Sequence, residues 1–125
     1  MLDTSVAIGL RDNDPRILAR VEALEGPLLM SVITRVELEG GTWRIPEAGP
    51  AKEIRLEALL QNHEVLAFDR DQALAYRQIV RSAGYSRRKV ADRMIAAQAL
   101  VAGATLVTLN PDDFTDVPGL QLLGW

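Results

Sequence analysis

A chain of 125 residues, 48% hydrophobic and 25% charged, has the composition of one globular domain, 1–125, with a proper core, which excludes wholesale disorder. It contains no cysteine, so disulfides, thiolate metal sites and cysteine nucleophiles are excluded together. The net charge of −3 argues against a general nucleic-acid binder, although Arg77, Arg81, Arg87, Arg88, Lys89 and Arg93 crowd one stretch that forms either a local basic face or a solvated helix surface.

In chain order, Met1 to Asp3 reads as the end of a strand, followed by a short helix capped by Thr4 or Ser5 and running through Val6, Ile8 and Leu10. Asp14-Pro15 starts a second helix, with aspartate at the cap and proline at the first helical position, and Gly26-Pro27 stops it. Leu28 to Met30 predicts a buried strand. Ser31 then opens a helix through Glu37 that is expected to end at Gly40-Gly41. Residues 43–50, rich in proline and glycine, predict a loop before a helix carrying Ile54, Leu56, Leu59 and Leu60. Val65 to Phe68 predicts a strand, and Asp69 caps a helix that Gly84 breaks. Ser86 is expected to cap the next helix, which runs to Ala102. Ala104 to Thr108 is the strongest strand signal, a turn through Asn110 to Asp113 follows, and Leu120 to Leu123 predicts a last strand. No basic stretch followed by an apolar segment opens the chain, and no apolar run is long enough to span a bilayer, so a cytoplasmic protein with no membrane partner is expected. Strands alternating with helices predict an α/β fold with a small, mostly parallel sheet between helical layers, and ligands in such folds collect at the carboxyl ends of the strands.

Four isolated acids fall at those ends or on the helices leading to them: Asp3, Glu37, Asp92 and Asp113. A carboxylate beside a core-facing stripe is expensive to desolvate unless a positive charge joins it, and hard divalent cations prefer oxygen ligands. Each acid also has a plainer reading. Asp3 could cap the following helix, Glu37 could sit on the surface beside glycines, Asp92 could pair with Arg88 one turn back, and Asp113 competes with Asn110 and Asp112 in an ordinary turn sequence. His63 precedes a strand and is given no catalytic role.

Leu2-Asp3-Thr4-Ser5-Val6, then Ser31-Val32-Ile33-Thr34 with Glu37-Leu38 and Gly41, then Asp92 with Ile95-Ala96-Ala97, and finally Thr105-Leu106-Val107-Thr108 with Asn110 and Asp113-Phe114, resemble the successive motifs of PIN-domain proteins. The match is nearest to the VapC-type toxins of bacterial toxin–antitoxin systems, and the ending from Val117-Pro118-Gly119-Leu120 to Trp125 is similar too. The resemblance implies a three-layer α/β/α fold with four to five short strands and a Mg²⁺- or Mn²⁺-dependent endoribonuclease. Asp3, Glu37 and Asp92 match the three core acids and Asp113 the fourth, all as catalytic and metal-binding residues, with Thr4, Ser5, Thr108 and Asn110 as accessory positions. It also implies a cognate antitoxin, an RNA substrate and a homodimer. Arg35, Arg87, Arg88 and Lys89 are the expected RNA contacts. Three positions depart from the pattern. Only Met1 and Leu2 precede Asp3, which leaves either a very short first strand or a start further upstream. Arg35 replaces a small or aliphatic residue. Asn110 stands where some relatives carry aspartate, so one tightly held ion is expected rather than two. The alternative is an inactive PIN-like RNA-binding module. A phosphoacceptor receiver domain fits poorly, because neither Lys52 nor Lys89 follows a strand.

Overall fold

A computed structural model describes all 125 residues. Six helices, α1 (Thr4–Arg11), α2 (Pro15–Glu22), α3 (Val32–Thr42), α4 (Gly49–Gln61), α5 (Arg70–Ala83) and α6 (Val90–Ala102), surround four three-residue strands, β1 (Leu29–Ser31), β2 (Glu64–Leu66), β3 (Leu106–Thr108) and β4 (Leu122–Gly124). β1 pairs with β2 and β3 with β4, both in parallel. The two pairs are joined through a single residue. Leu2 bridges to Met30 on one side and to Val107 on the other, supported by Leu2 N–H on the Leu29 carbonyl (2.8 Å) and Asp3 N–H on the Val107 carbonyl (2.9 Å). The order across the sheet is therefore β2, β1, Leu2, β3, β4, so the four strands and the one-residue fifth position match the four to five expected.

Alternation sends Leu2, Met30 and Val107 to one face, where they pack with Val6, Leu10, Ile17, Leu38 and Leu56 from α1 to α4. Met1 and Leu106 face the other way, onto Ile79, Ile95, Ala96 and Ala99 of α5 and α6. Two cores back to back across one sheet make the three layers. No helix is long and apolar enough to cross a membrane.

Several local expectations shift. Asp3, not Thr4 or Ser5, occupies the N-cap of α1, and its side chain makes no cap hydrogen bond. Asp14 caps α2 as expected, accepting from Arg16 N–H at 2.9 Å, and Ser31 caps α3 through Ile33 N–H at 2.9 Å. The α3 helix does not end at Gly40-Gly41 but carries through both to Thr42, whose hydroxyl bonds the Leu38 carbonyl at 2.7 Å in the buried layer. The 43–50 segment contains a 3₁₀ turn at Pro46–Ala48, and α4 already begins at Gly49. Ser86 makes no side-chain cap. A 3₁₀ turn (Arg87–Lys89) intervenes, and Lys89 takes the N-cap position of α6. Ile54 is exposed, not a core residue, and the last strand begins two residues later than expected and ends one later.

Candidate active site

The first strand position in sequence is the middle one in space. From it the chain builds outward to β1 and β2, then returns to add β3 and β4. That reversal opens a crevice at the carboxyl ends of neighbouring strands, where ligands bind in open parallel sheets. Asp3 and Thr108 flank this crevice, one after Leu2 and the other at the end of β3.

Asp3 is 4% exposed and has no ion-pair partner. Its Oδ2 accepts from Thr108 Oγ1 at 2.8 Å and from Ser5 Oγ at 2.7 Å. Those hydroxyls in turn accept from Asn110 N–H (3.0 Å) and Leu109 N–H (3.1 Å). Two relays of backbone N–H to hydroxyl to carboxylate therefore fix one oxygen of Asp3 and leave the other uncommitted. Of the four accessory positions, Ser5 and Thr108 act on Asp3 through side chains, whereas Asn110 acts through its backbone. Thr108→Val keeps the buried shape but removes a donor from Asp3 and the acceptor of Asn110 N–H. It is expected to lower unfolding free energy by about 1–3 kcal/mol in urea titrations at neutral pH.

Glu37 projects from α3 and is exposed, with its Oε2 accepting from Thr4 Oγ1 at 2.5 Å; Thr4 Oγ1 also lies 3.0 Å from the buried Thr34 hydroxyl. Asp92 lies in the first turn of α6. It makes no hydrogen bond and does not pair with Arg88. Burial pushes its carboxyl up to about 6, and the charges of Asp3, Asp113 and Glu37 push the same way, while Lys89 opposes them weakly. Of the three rivals in the 110–113 turn, Asp113 is thus the acid whose charge reaches Asp92. It sits on a 3₁₀ turn, Pro111–Phe114, pinned by the buried Phe114. Asp92 and Asp113 line a wholly polar recess of about 450 Å³ with Ser86, Arg88 and Lys89. An apolar cleft of similar size at the opposite end of the sheet, between Leu24, Leu28, Ala104 and Leu123, offers no comparable set of groups.

Asp3, Glu37 and Asp113 all lie within electrostatic range of Asp92, but no three of the acids close around one point as their side chains stand. As donors they are all hard oxygens, and Asp92 lacks any compensating partner. This set fits Mg²⁺ or Mn²⁺ in chemistry, because a divalent charge relieves the repulsion that raises Asp92.

The basic stretch divides. Arg87 and Arg88 are exposed, but Lys89 is tied to Asp116 (3.1 Å) and Arg93 is buried, with Nη2 also on Asp116 (3.0 Å). Arg93 is therefore not part of any basic surface. Arg35 is exposed and pairs with Glu39 at 3.4 Å along α3. His63 lies at the end of α4, with Nδ1 2.8 Å from the Leu59 carbonyl, away from the acids.

Sequence reasoning did not single out Asp116 or Gln98. Gln98 is buried. Its Nε2 donates to the carbonyls of Leu66 and Ala67 (2.9 Å each), and its Oε1 accepts from Ser31 Oγ, which ties α6 to the ends of β1 and β2. A polar residue on the buried side of an apolar helix was the available signal. The partner of Arg93 lies 23 residues away, beyond any local pattern.

The sequence matches the PIN domain over residues 1–120. It is 31% identical over 130 aligned residues to a tRNA(fMet)-specific endonuclease VapC of Shigella flexneri, covering all of this chain and 96% of that protein. It is 33% identical to Ribonuclease VapC1 of Haemophilus influenzae strain R2866, again over all of this chain and 96% of the relative. The fold superposes with a TM-score of 0.86 and 25% identity on VapBC2 from Rickettsia felis bound to a promoter DNA fragment, covering 100% of this chain and 97% of that one. With the family's motifs placed in order around one crevice and these likenesses spanning nearly the whole chain, the protein belongs to the PIN-domain family, in its VapC branch.

Proposed function

We propose that the protein is the toxin of a toxin–antitoxin pair, a Mg²⁺- or Mn²⁺-dependent endoribonuclease that hydrolyses RNA phosphodiesters at Asp3, Glu37, Asp92 and Asp113 and leaves 5′-phosphate ends. The observation that carries this reading is Asp92, a half-buried carboxylate raised to about 6 among three other acids with no base paired to it. The ribonuclease names of the similar proteins and the VapBC assembly of the similar structure support it.

In this reading the bound ion supplies Lewis acidity and offsets charge developing at the scissile phosphate. Asp3, Asp92, Glu37 and Asp113 hold it. The Ser5 and Thr108 hydroxyls keep Asp3 in one orientation, and Thr4 does the same for Glu37. The exposed guanidinium groups of Arg87 and Arg88 draw the phosphate chain towards an otherwise repulsive site. Arg35, two residues before Glu37 on α3 and in a surface ion pair with Glu39 that is easily exchanged, offers a contact on the other side. Attack by the RNA's own 2′-hydroxyl would call for a pair of histidines, and the chain has one. Single-stranded or looped RNA is the expected substrate, because unpaired nucleotides reach a recessed ion. The protein acts in the cytoplasm as a homodimer, silenced by an antitoxin that lays a helix or arm across its groove.

The competing reading, an inactive RNA-binding module, draws on Asn110 and on the absence of three acids closed around one point. Incubation of a structured RNA pool with the purified protein, in Mg²⁺ or Mn²⁺ and in chelator, separates the two. Metal-dependent cuts bearing 5′-phosphates are expected. RNA binding without cleavage would favour the inactive module.

A further inference from the structure

Both walls of the polar recess hang from one buried guanidinium. Arg93, next to Asp92 on α6, is 2% exposed. Its Nη1 donates to the carbonyl of Gly84, where the chain leaves α5 and begins the wall that carries Ser86, Arg88 and Lys89. Its Nη2 donates at 3.0 Å to Asp116 Oδ2, just beyond the opposite wall that carries Asp113. The same carboxylate oxygen accepts from Lys89 Nζ at 3.1 Å. Burial pushes Asp116 up, but the hydrogen bonds from Lys89 and Arg93 outweigh it and hold the carboxyl below its usual range.

Stability alone does not account for this trio. Arg93 Nε and Asp116 Oδ1 are buried without partners. An ion pair with one partner buried, the other a third exposed, and orphaned atoms on both is a weak source of folding free energy compared with apolar packing. Arg93 neutralises Asp116, so Asp116 does not cancel the positive charge that Lys89 brings to the recess beside Asp92 and Asp113. An ammonium has three donors, and Asp116 takes one, leaving two for a ligand. A free lysine loses much rotamer freedom when it grips an anion, whereas a tethered one has already lost part of it.

We infer that Arg93 and Asp116 are positioning residues that preset Lys89 as a subsite for an RNA phosphate flanking the one that is cleaved. This deepens the nuclease reading above and rests on it.

Steady-state kinetics on a short single-stranded RNA, over a range of salt concentrations, test the inference. Lys89→Gln is expected to raise KM about five- to tenfold with kcat within about twofold, and to reduce the slope of log KM against log salt by about 0.7. Asp116→Asn removes a negative charge, so long-range attraction alone would tighten RNA binding. Positioning predicts the reverse, a KM raised about threefold and a shallower salt slope, with no further change when Lys89→Gln is already present. Lys89→Arg retains most of the wild-type KM. If Asp116→Asn does not fold, Asp116→Glu moves the same charge by one carbon and is expected to raise KM likewise. A KM that is unchanged or lower in the Asp116 variant, or an effect that adds fully to that of Lys89→Gln, overturns the inference and leaves the trio a structural tether. If the wild type cuts no RNA, the nuclease reading fails separately, and RNA dissociation constants of the same proteins, by fluorescence anisotropy, are judged by the same criteria.

Discussion

Asp92→Asn is expected to lower metal-dependent RNA cleavage by roughly three orders of magnitude while raising the melting temperature of the metal-free protein. The first effect follows from removing a carboxylate that would hold the proposed ion, where several kcal/mol of charge stabilisation are at stake and each ~1.4 kcal/mol is tenfold in rate. The second follows from the site's own repulsion. Asp92 makes no hydrogen bond that asparagine would break, and its charge is opposed by burial and by three acids. Asp3→Asn is expected to lose activity to a similar extent without the gain in stability, because Asp3 Oδ2 already accepts two hydroxyl bonds. Initial rates with Mg²⁺ and thermal melts in chelator give both readings on each variant. Full activity in Asp92→Asn would remove this residue from the site.

The metal-free protein should lose stability as pH rises from about 4 to 6, and Mg²⁺ at neutral pH should restore it. Asp92 has a folded-state pKa of about 6, above its ordinary 3.8. The folded form therefore holds this proton more tightly, so the group favours folding when protonated and that advantage disappears through the 4–6 window. The full displacement corresponds to about 3 kcal/mol. Asp92 is partly exposed, so about 1–2 kcal/mol is the realistic loss. Asp12 is held below its usual range chiefly by its hydrogen bond from Arg11, and Asp116 is lowered likewise; both favour folding above 3.8 and lose that effect only at lower pH. The burial-lowered amino group of Met1 acts below 8. Urea unfolding across this pH range, for wild type and Asp92→Asn, isolates the term; identical slopes in the two would show that Asp92 does not carry it.

The parts of the molecule that were legible in the sequence are those governed by neighbours in the chain. Asp14-Pro15 specifies a helix start because both cap and fixed φ act within one turn. Ala104 to Thr108 reads as a strand because β-branched and apolar residues alternate locally. Asp3, Glu37 and Asp92 stood out because each borders an apolar segment, whereas Asp113 is singled out of its turn by the resemblance of the Asp-Phe pair. What escaped depends on distant partners. Gly40-Gly41 looks like a helix end, yet packing of α3 against α1 and α4 outweighs the modest helix penalty of glycine. Arg93 looked like one of six surface bases, although its spacing from Ala96, Ala97 and Leu100 on α6 put it on the buried side. Lys89 counted as a free cation until Asp116 came beside it from 27 residues away.

The bridge between Leu2 and Val107 has a temporal consequence. Asp3 and the hydroxyl that orients it, on Thr108, lie 105 positions apart, so the first is made well before the second. The sheet's central position can pair with β1 early but lacks its second neighbour until β3 exists, so the acid cluster cannot assemble before then. A growing chain that has not yet reached β3 therefore holds Asp3, Glu37 and Asp92 as separated pieces, and the hydroxyl that orients Asp3 arrives together with the last of the sheet's central pairings.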